Sequence, residues 1–365
     1  MLEIKGRYNT AKVFTTNIED KAKSQVMELC EQEFVQSSII RVMPDVHAGI
    51  GCTIGTTMTI KDKVVPNLVG VDIGCGMEVI KLAQKEVDLD KLDRLIHKFI
   101  PSGFNTRSTP HKYLDYTRIE NLLCKNHVNM KRARLSVGTL GGGNHFIEVN
   151  RSGNSNGLYF VVHSGSRHLG NQVCRYYQEL ASKSKPGLPR QLACLEGEDF
   201  DAYLHDMRIV QEYAAYNRKA IVDEIAARMG FDIEEQFTVI HNYINLDDMV
   251  LRKGAISARR GEKVIIPINM RDGSLLGIGK GNEDWNYSAP HGAGRIMSRR
   301  KAKELISLDE FRETMKGIYS TTVNKDTLDE CALAYKSMDE IIENVQDTVE
   351  ITDIIRPIYN FKAAE

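Results

Sequence analysis

Five short segments place metal-type ligands or an unhindered histidine beside glycine or at the end of an apolar run. They are Asp72-Ile73-Gly74-Cys75, Asn144-His145, His163-Ser164-Gly165-Ser166-Arg167, His241-Asn242 and His291-Gly292-Ala293-Gly294-Arg295. A buried metal centre draws its ligands from distant strand ends, and glycines leave room for substrate at its mouth. A thiolate, a carboxylate and several imidazoles suit a catalytic transition metal better than calcium or a structural zinc knuckle. Sulfur keeps lone pairs after binding one metal, so Cys75 has the chemistry of a bridge. Each segment also has a plainer reading. Cys75 alone fits a small buried residue. Gly141-Gly142-Gly143 before Asn144-His145 fits a tight hairpin, although consecutive glycines also aim N–H groups at phosphate. That run is neither a Walker loop nor a dinucleotide fingerprint. His163 and His241 each close an apolar strand run, and two such ends beside polar loops point to a site.

His291 is followed by Gly292, Ala293 and Gly294, which leave its ring open for in-line attack on phosphorus. A helix starting near Ser298, with Arg295 before it, would bear phosphate charge. A histidine nucleophile forms a phosphoramidate and passes its group onward. The plainer reading is a glycine turn into a solvated basic helix, a fair description of residues 299–303. His47, in Met43-Pro44-Asp45-Val46-His47-Ala48-Gly49, ends another strand at a glycine loop. The remaining histidines read as surface or supporting groups.

Periodicity supplies the elements that must position these residues. A helix is expected from about Asn17, with Ala22, Val26, Met27 and Cys30 on one face. A β-rich block follows over 38–82. Asp88 caps a helix carrying Leu89, Leu92, Leu95, Ile96 and Phe99. Strands are expected over 145–149, 158–163, 237–241 and 263–268, helix over most of 169–229, and mainly helix after Ser298. The interleaving is irregular. It predicts an α+β fold, one intertwined domain over 1–365, with mixed or antiparallel sheets flanked by helices.

The chain has 365 residues, 42% of them hydrophobic, and a formal charge of −1. That is ample for a large core and argues against a nonspecific nucleic-acid coat, while leaving room for a local basic groove. Seven irregularly spaced cysteines do not form a disulfide framework. With no apolar leader and no membrane-length apolar run, a reduced, cytoplasmic protein is expected.

The five segments, with Met43-Pro44-Asp45-Val46-His47 and Gly279-Lys280-Gly281-Asn282, occur in the order seen in RtcB-type RNA-splicing ligases, and the chain resembles that family from about Pro44 onward. The resemblance implies a GTP- and manganese-dependent ligase. It would join RNA bearing a 3′-phosphate or 2′,3′-cyclic phosphate to RNA bearing a 5′-hydroxyl. It implies that Asp72, Cys75, His145, His163 and His241 hold two Mn²⁺ ions, and that His291 takes GMP from GTP. Asn144, His145, Phe146, Ile147, Glu148, Asn242, Gly292, Ala293, Gly294 and Lys362 would contact the nucleotide, as would Pro267, Ile268, Asn269, Met270 and Ser274. Asp45, Arg167 and Arg295 would meet RNA or its phosphates, and an archease-like activator is an expected partner. Where family members read Pro-Gly-Ser-Met-Gly, this chain has Pro267-Ile268-Asn269-Met270-Arg271-Asp272-Gly273, a larger and more polar wall. Two other readings use the same residues: a metal-dependent phosphoesterase that opens cyclic phosphates, and a nonenzymatic sensor of RNA ends.

Overall fold

The computed structural model describes residues 1–363. Its largest sheet has seven strands in the order Ile233–Ile240, Gly76–Leu82, Leu158–Ser164, Phe146–Ser152, Val349–Lys362, Gly273–Gly279 and Lys263–Asn269. A second has six: Leu2–Lys5, Thr10–Val13, Ile40–His47, Ile54–Thr59, Val250–Lys253 and Asn242–Asn245. Thr10–Val13 runs parallel to Ile40–His47, and the other neighbours in both sheets are antiparallel. The α+β expectation is met.

Both faces of the seven-stranded sheet are covered, so its central strands read as apolar runs rather than alternating ones. One face packs Ile80, Val162 and Ile147 against Leu92 and Ile96 of the helix Leu89–Phe99, and against Ile221 and Ile225 of the helix Gly197–Met229. Asp88 caps the shorter helix, its side chain accepting from the Lys91 amide. The other face packs Met77, Val161 and Val239 against Ile256, Ile266 and Ile341.

The order of four adjacent strands sets up the site. Gly76 pairs with Ile240 and with Ser164, and Phe146 with His163. Because these neighbours are antiparallel, the starts of two strands and the ends of the other two share one rim. Cys75 and His145 lie just before two of those ends, His241 just after a third and His163 one residue inside the fourth, with Asp72 in the turn that leads to Gly76.

Two expectations need correction. The first helix begins at Asp20 rather than near Asn17. The short strands Leu2–Lys5 and Thr10–Val13 precede it. The last part of the chain is not mainly helical, since Val349–Lys362 is a 14-residue strand inside the large sheet. Pro357 argues against a central strand because it cannot donate to a ladder. The register shift between Pro357 and Tyr359 accommodates it. All seven cysteines are free and buried, and no helix among the described residues is long and apolar enough to cross a membrane.

Candidate active site

At the shared rim, two groups of three ligands converge, Cys75–His163–His241 and Asp72–Cys75–His145, with all ligating atoms within each group inside 4.8 Å. Cys75 belongs to both. Its Sγ lies 3.3 Å from His163 Nε2 and 3.4 Å from His145 Nε2, and His145 Nε2 lies 3.1 Å from Asp72 Oδ2. Surrounding groups orient these ligands. His163 Nδ1 donates to the Asn144 carbonyl at 3.1 Å, which leaves Nε2 with its lone pair facing the thiol. Asp72 Oδ1 accepts from the amide and hydroxyl of Ser166 at 2.9 and 3.1 Å. Arg167 Nη1 donates to His145 Nδ1 at 3.1 Å.

The electrostatics suit a metal. Burial and the neighbouring His291 and His163 rings push His241 far below its ordinary pKa, and burial with His145 does the same to His163. Both are thus neutral imidazoles, the ligating form. Burial, then the Asp72 charge, pushes the Cys75 thiol far up, so only a cation at the sulfur would free its proton. Burial also opposes ionisation of Asp72, but the His145 hydrogen bond and the His145 and Arg167 charges outweigh it and leave the carboxyl below its ordinary range. His241 Nδ1 is buried with no hydrogen-bond partner, a polar atom left open beside the cluster. The residues present fit a divalent transition metal.

His291 borders the same cluster, its ring centroid 4.8 Å from that of His241. It follows the short strand Ser288–Pro290, and Asp45, on Ile40–His47, reaches it from the other sheet. The fully buried Asp45 accepts through Oδ2 from His291 Nδ1 at 2.6 Å and from the His291 amide at 3.1 Å. With Nδ1 donating, the lone pair of His291 resides on Nε2. Asp45 thus supports the imidazole from a fully buried position, where the resemblance implied a contact to RNA or its phosphates. His47 donates from Nδ1 to the Asp45 carbonyl at 3.0 Å.

His291 opens into a cavity of about 190 Å³. Gly292, Ala293 and Gly294 line it beside the histidine, and Asn144, Phe146, Glu148 and Lys362 line it from the large sheet. Pro267, Ile268, Asn269 and Met270 form another wall. Four expected nucleotide contacts lie elsewhere, one of them His145, which belongs to the Asp72–Cys75 group. Ile147 points into the core beneath the sheet, as strand alternation between Phe146 and Glu148 requires. Ser274 is buried, with its Oγ unpartnered, opposite Pro267 in the ladder. Asn242 braces the ligand loop, donating to the Asp72 carbonyl at 3.2 Å and accepting from the Gly254 amide at 2.9 Å.

Glu330 and Tyr335 also line the cavity, and the sequence did not single them out. Glu330 accepts from Lys362 Nζ at 2.6 Å and from Tyr335 OH at 2.8 Å, and pairs with Arg299 Nη1 at 2.8 Å. Burial pushes its carboxyl up, but the Lys362 and Arg299 charges win and hold it at about 2. Arg295, expected on phosphate, is committed to protein partners: Nη2 to the Asp329 carbonyl at 2.6 Å, Nη1 to Tyr335 OH at 3.0 Å and Nε to the Met297 carbonyl at 3.1 Å. The only local signal for Glu330 was an acidic run, which reads as solvated.

Arg167 lines a second cavity, of about 450 Å³, on the Asp72 side of the cluster, with Phe104, Arg132, His168 and Arg175. The ligand cluster therefore stands between two openings, one at His291 and one at Arg167.

The chain is similar in sequence to known proteins along most of its length. The family model for tRNA-splicing ligase RtcB matches residues 25–127 and 117–363. The RNA-splicing ligase RtcB of Escherichia coli (strain K12) is 34% identical over 391 residues, covering 93% of this chain and 94% of that protein. The tRNA-splicing ligase RtcB of Aeropyrum pernix is 29% identical over 426 residues, covering 89% and 87%. The RNA-splicing ligase RtcB of Mycobacterium bovis is 28% identical over 396 residues, covering 82% and 91%. With the profile spanning nearly the whole chain and the matched length nearly complete on both sides, the chain belongs to the RtcB family.

Proposed function

We propose that this protein is a GTP- and manganese-dependent RNA ligase that joins 3′-phosphate or 2′,3′-cyclic phosphate ends to 5′-hydroxyl ends through a guanylyl group carried on His291. The observation that carries the reading is the placement of His291. Its ring is held by a buried carboxylate at Nδ1, lies tilted beside His241 with centroids 4.8 Å apart, and opens into the cavity between the Gly292–Gly294 turn and the large sheet. The relatives' names, RNA-splicing and tRNA-splicing ligases, supply the substrate class.

In this reading Phe146, Glu148, Met270 and Lys362 surround the base, and the Gly292-Ala293-Gly294 backbone lies along the phosphates. His291 Nε2 attacks the α-phosphorus of GTP as the bond to pyrophosphate breaks, and Asp45 stabilises the charge that the ring acquires. A 3′-phosphate oxygen of RNA then takes the GMP, and Nε2 recovers its lone pair. The 5′-hydroxyl finally attacks the 3′-phosphorus, giving up its proton, and GMP leaves. Metal ions held by Asp72, Cys75, His145, His163 and His241 would neutralise triphosphate charge and favour departure of pyrophosphate. tRNA splicing and RNA repair both supply such ends. An archease-like activator and a cytoplasmic setting belong to the same proposal, the latter supported by seven free cysteines.

Incubation with α-labelled GTP and Mn²⁺ tests it. Wild-type protein should acquire an acid-labile, alkali-stable label, because a phosphoramidate hydrolyses once its nitrogen is protonated. His291→Ala should neither take label nor join RNA. Wild-type protein that stays unlabelled with every divalent metal, or a His291→Ala variant that still ligates, ends the proposal. Opening of cyclic phosphate without labelling would instead identify a phosphoesterase.

A further inference from the structure

The helix Gly197–Met229 carries an asparagine and an arginine at adjacent, fully buried positions, Asn217 and Arg218. Neither is a natural choice for a helix core. Asparagine is a mediocre helix former, and a buried guanidinium loses its hydration. Their bonds run away from the helix and across to the loops that hold the metal-type ligands. Arg218 Nη1 donates to the Gly74 carbonyl at 2.7 Å and to the Ser164 carbonyl at 3.1 Å. Asn217 Nδ2 donates to Ser164 Oγ and to the Gly165 carbonyl, both at 3.0 Å. Its Oδ1 accepts from the amides of Gly138 and Thr139 at 2.8 and 3.0 Å. Gly74 lies between Asp72 and Cys75, Ser164 follows His163, and 138–139 opens the segment leading to His145.

We infer that Asn217 and Arg218 are positioning residues of the metal centre, one side-chain pair clamping three of the four segments whose ligands make up the two groups around Cys75. The inference rests on the proposed reading of that cluster as a metal site. A second feature points the same way. The 72–75 loop lies so close to this helix that a Cβ on Gly74 would come within 2.9 Å of Gln211 Cα, and Gly74 has φ +72°. The Gly74 amide also donates to the Asn242 carbonyl at 2.7 Å, which brings the His241 segment into the same clamp. Arg218 Nε and Nη2 are buried without partners, so the side chain is not there because every one of its donors is satisfied. Metal sites need ligand placement within about 0.5 Å, which four flexible loop ends do not supply by themselves.

The test is Mn²⁺ binding, read by loss of the free-ion paramagnetic resonance signal and by calorimetry, with thermal unfolding alongside. Arg218→Met removes both carbonyl contacts. Asn217→Asp keeps the acceptor for Gly138 and Thr139 but turns a donor into an acceptor facing Gly165. Each should weaken Mn²⁺ binding about 10- to 100-fold, and Arg218→Lys should recover part of it. Arg252→Met is the control, since Arg252 is equally buried but bonds to Ser288 and Asn286. It should lower the melting temperature and leave Mn²⁺ affinity at the wild-type value. If folded Arg218→Met and Asn217→Asp bind as wild type does, or lose no more than Arg252→Met, the clamp is refuted. Should Arg218→Met not fold, Asn217→Asp decides alone. A wild-type protein that binds no Mn²⁺ removes the metal reading itself, and the clamp with it.

Discussion

At the scale of single residues, the site depends on carboxylates whose surroundings give them different tasks. Asp45 accepts from both the ring and the amide of His291, which leaves the ring's lone pair on Nε2. Asp45→Asn replaces an acceptor with an amide that can present a donor to Nδ1, favouring the wrong tautomer. Labelling of His291 by GTP should slow by roughly 10²-fold or more, as orienting carboxylates do in comparable nucleophile–base pairs, with Mn²⁺ binding kept. Labelling at the wild-type rate would mean that Asp45 only supports the fold. Glu148 behaves differently. Burial pushes its carboxyl up to about 7, with Asn150, Asn360 and Lys362 opposing only in part. The folded protein thus holds this proton more tightly than the unfolded chain. The resulting stability is complete below about 4.5 and is lost as pH rises through 7, a cost on the order of 3 kcal/mol. Glu148→Gln removes that cost. The amide oxygens of Asn150 and Asn360 have no partners, so a flip of either offers the new amide an acceptor. The variant should melt above wild type at pH 8, with the gap closing toward pH 5, while its affinity for GTP falls. A gap that widens toward acid would overturn the assignment.

Secondary-structure elements explain why widely separated segments form one site. Antiparallel register brings four strand ends to one rim; Cys75, His145, His163 and His241 each sit at one of those ends, and Asp72 lies in the turn before Gly76. This part was legible in sequence, because His163 and His241 close apolar runs and Cys75 opens one. The helix capped by Asp88 was legible for the same local reason. Val349–Lys362 was hidden by Pro357, since a bulge that absorbs a proline depends on partner strands far along the chain. Asn217 and Arg218 were hidden too. Polar residues on a long helix look alike in sequence whether they face water or clasp a buried loop. The close approach of the loops gives a prediction at this scale. A Cβ on Gly165 would lie 2.3 Å from Asp72 Oδ1, and the Asp72 carboxylate cannot retreat without leaving Ser166. Gly165→Ala should therefore fold, yet lose the metal proposed for Asp72, Cys75 and His145 while retaining the one proposed for Cys75, His163 and His241. Calorimetry would show one Mn²⁺ equivalent in place of two, and an unchanged stoichiometry would contradict the geometry.

Across the whole molecule, a net charge of −1 conceals an uneven distribution. The basic residues beside His291 are largely neutralised, Arg295 and Arg299 by Asp329 and Glu330. On the Asp72 side of the cluster, Arg132, Arg167 and Arg175 line the larger cavity, where Asp72 is the one carboxylate among the described lining residues. Arg132 Nη2 donates to the Phe104 carbonyl and Arg167 Nη1 to His145, so both guanidinia keep further donors for phosphate oxygens. Phe104, 77% exposed at the edge of this cavity, offers a face on which a base can stack. In-line displacement at phosphorus sets the attacking and leaving oxygens on opposite sides. On the proposed reading GMP would depart into the His291 cavity, and the incoming strand would then approach from the Arg167 side. RNA binding should then weaken steeply with salt as phosphate contacts release counterions. Arg132→Ala and Arg175→Ala should each reduce the slope of log affinity against log salt by about 0.7 to 1. Arg299→Ala should leave the slope unchanged, because its charge is already met by Asp329 and Glu330. Fluorescence anisotropy with a single-stranded 5′-hydroxyl RNA across a potassium chloride series reads all three. If Arg299→Ala flattens the slope and the other two do not, the strand enters beside His291, and the partition of nucleotide and RNA between the two cavities is wrong.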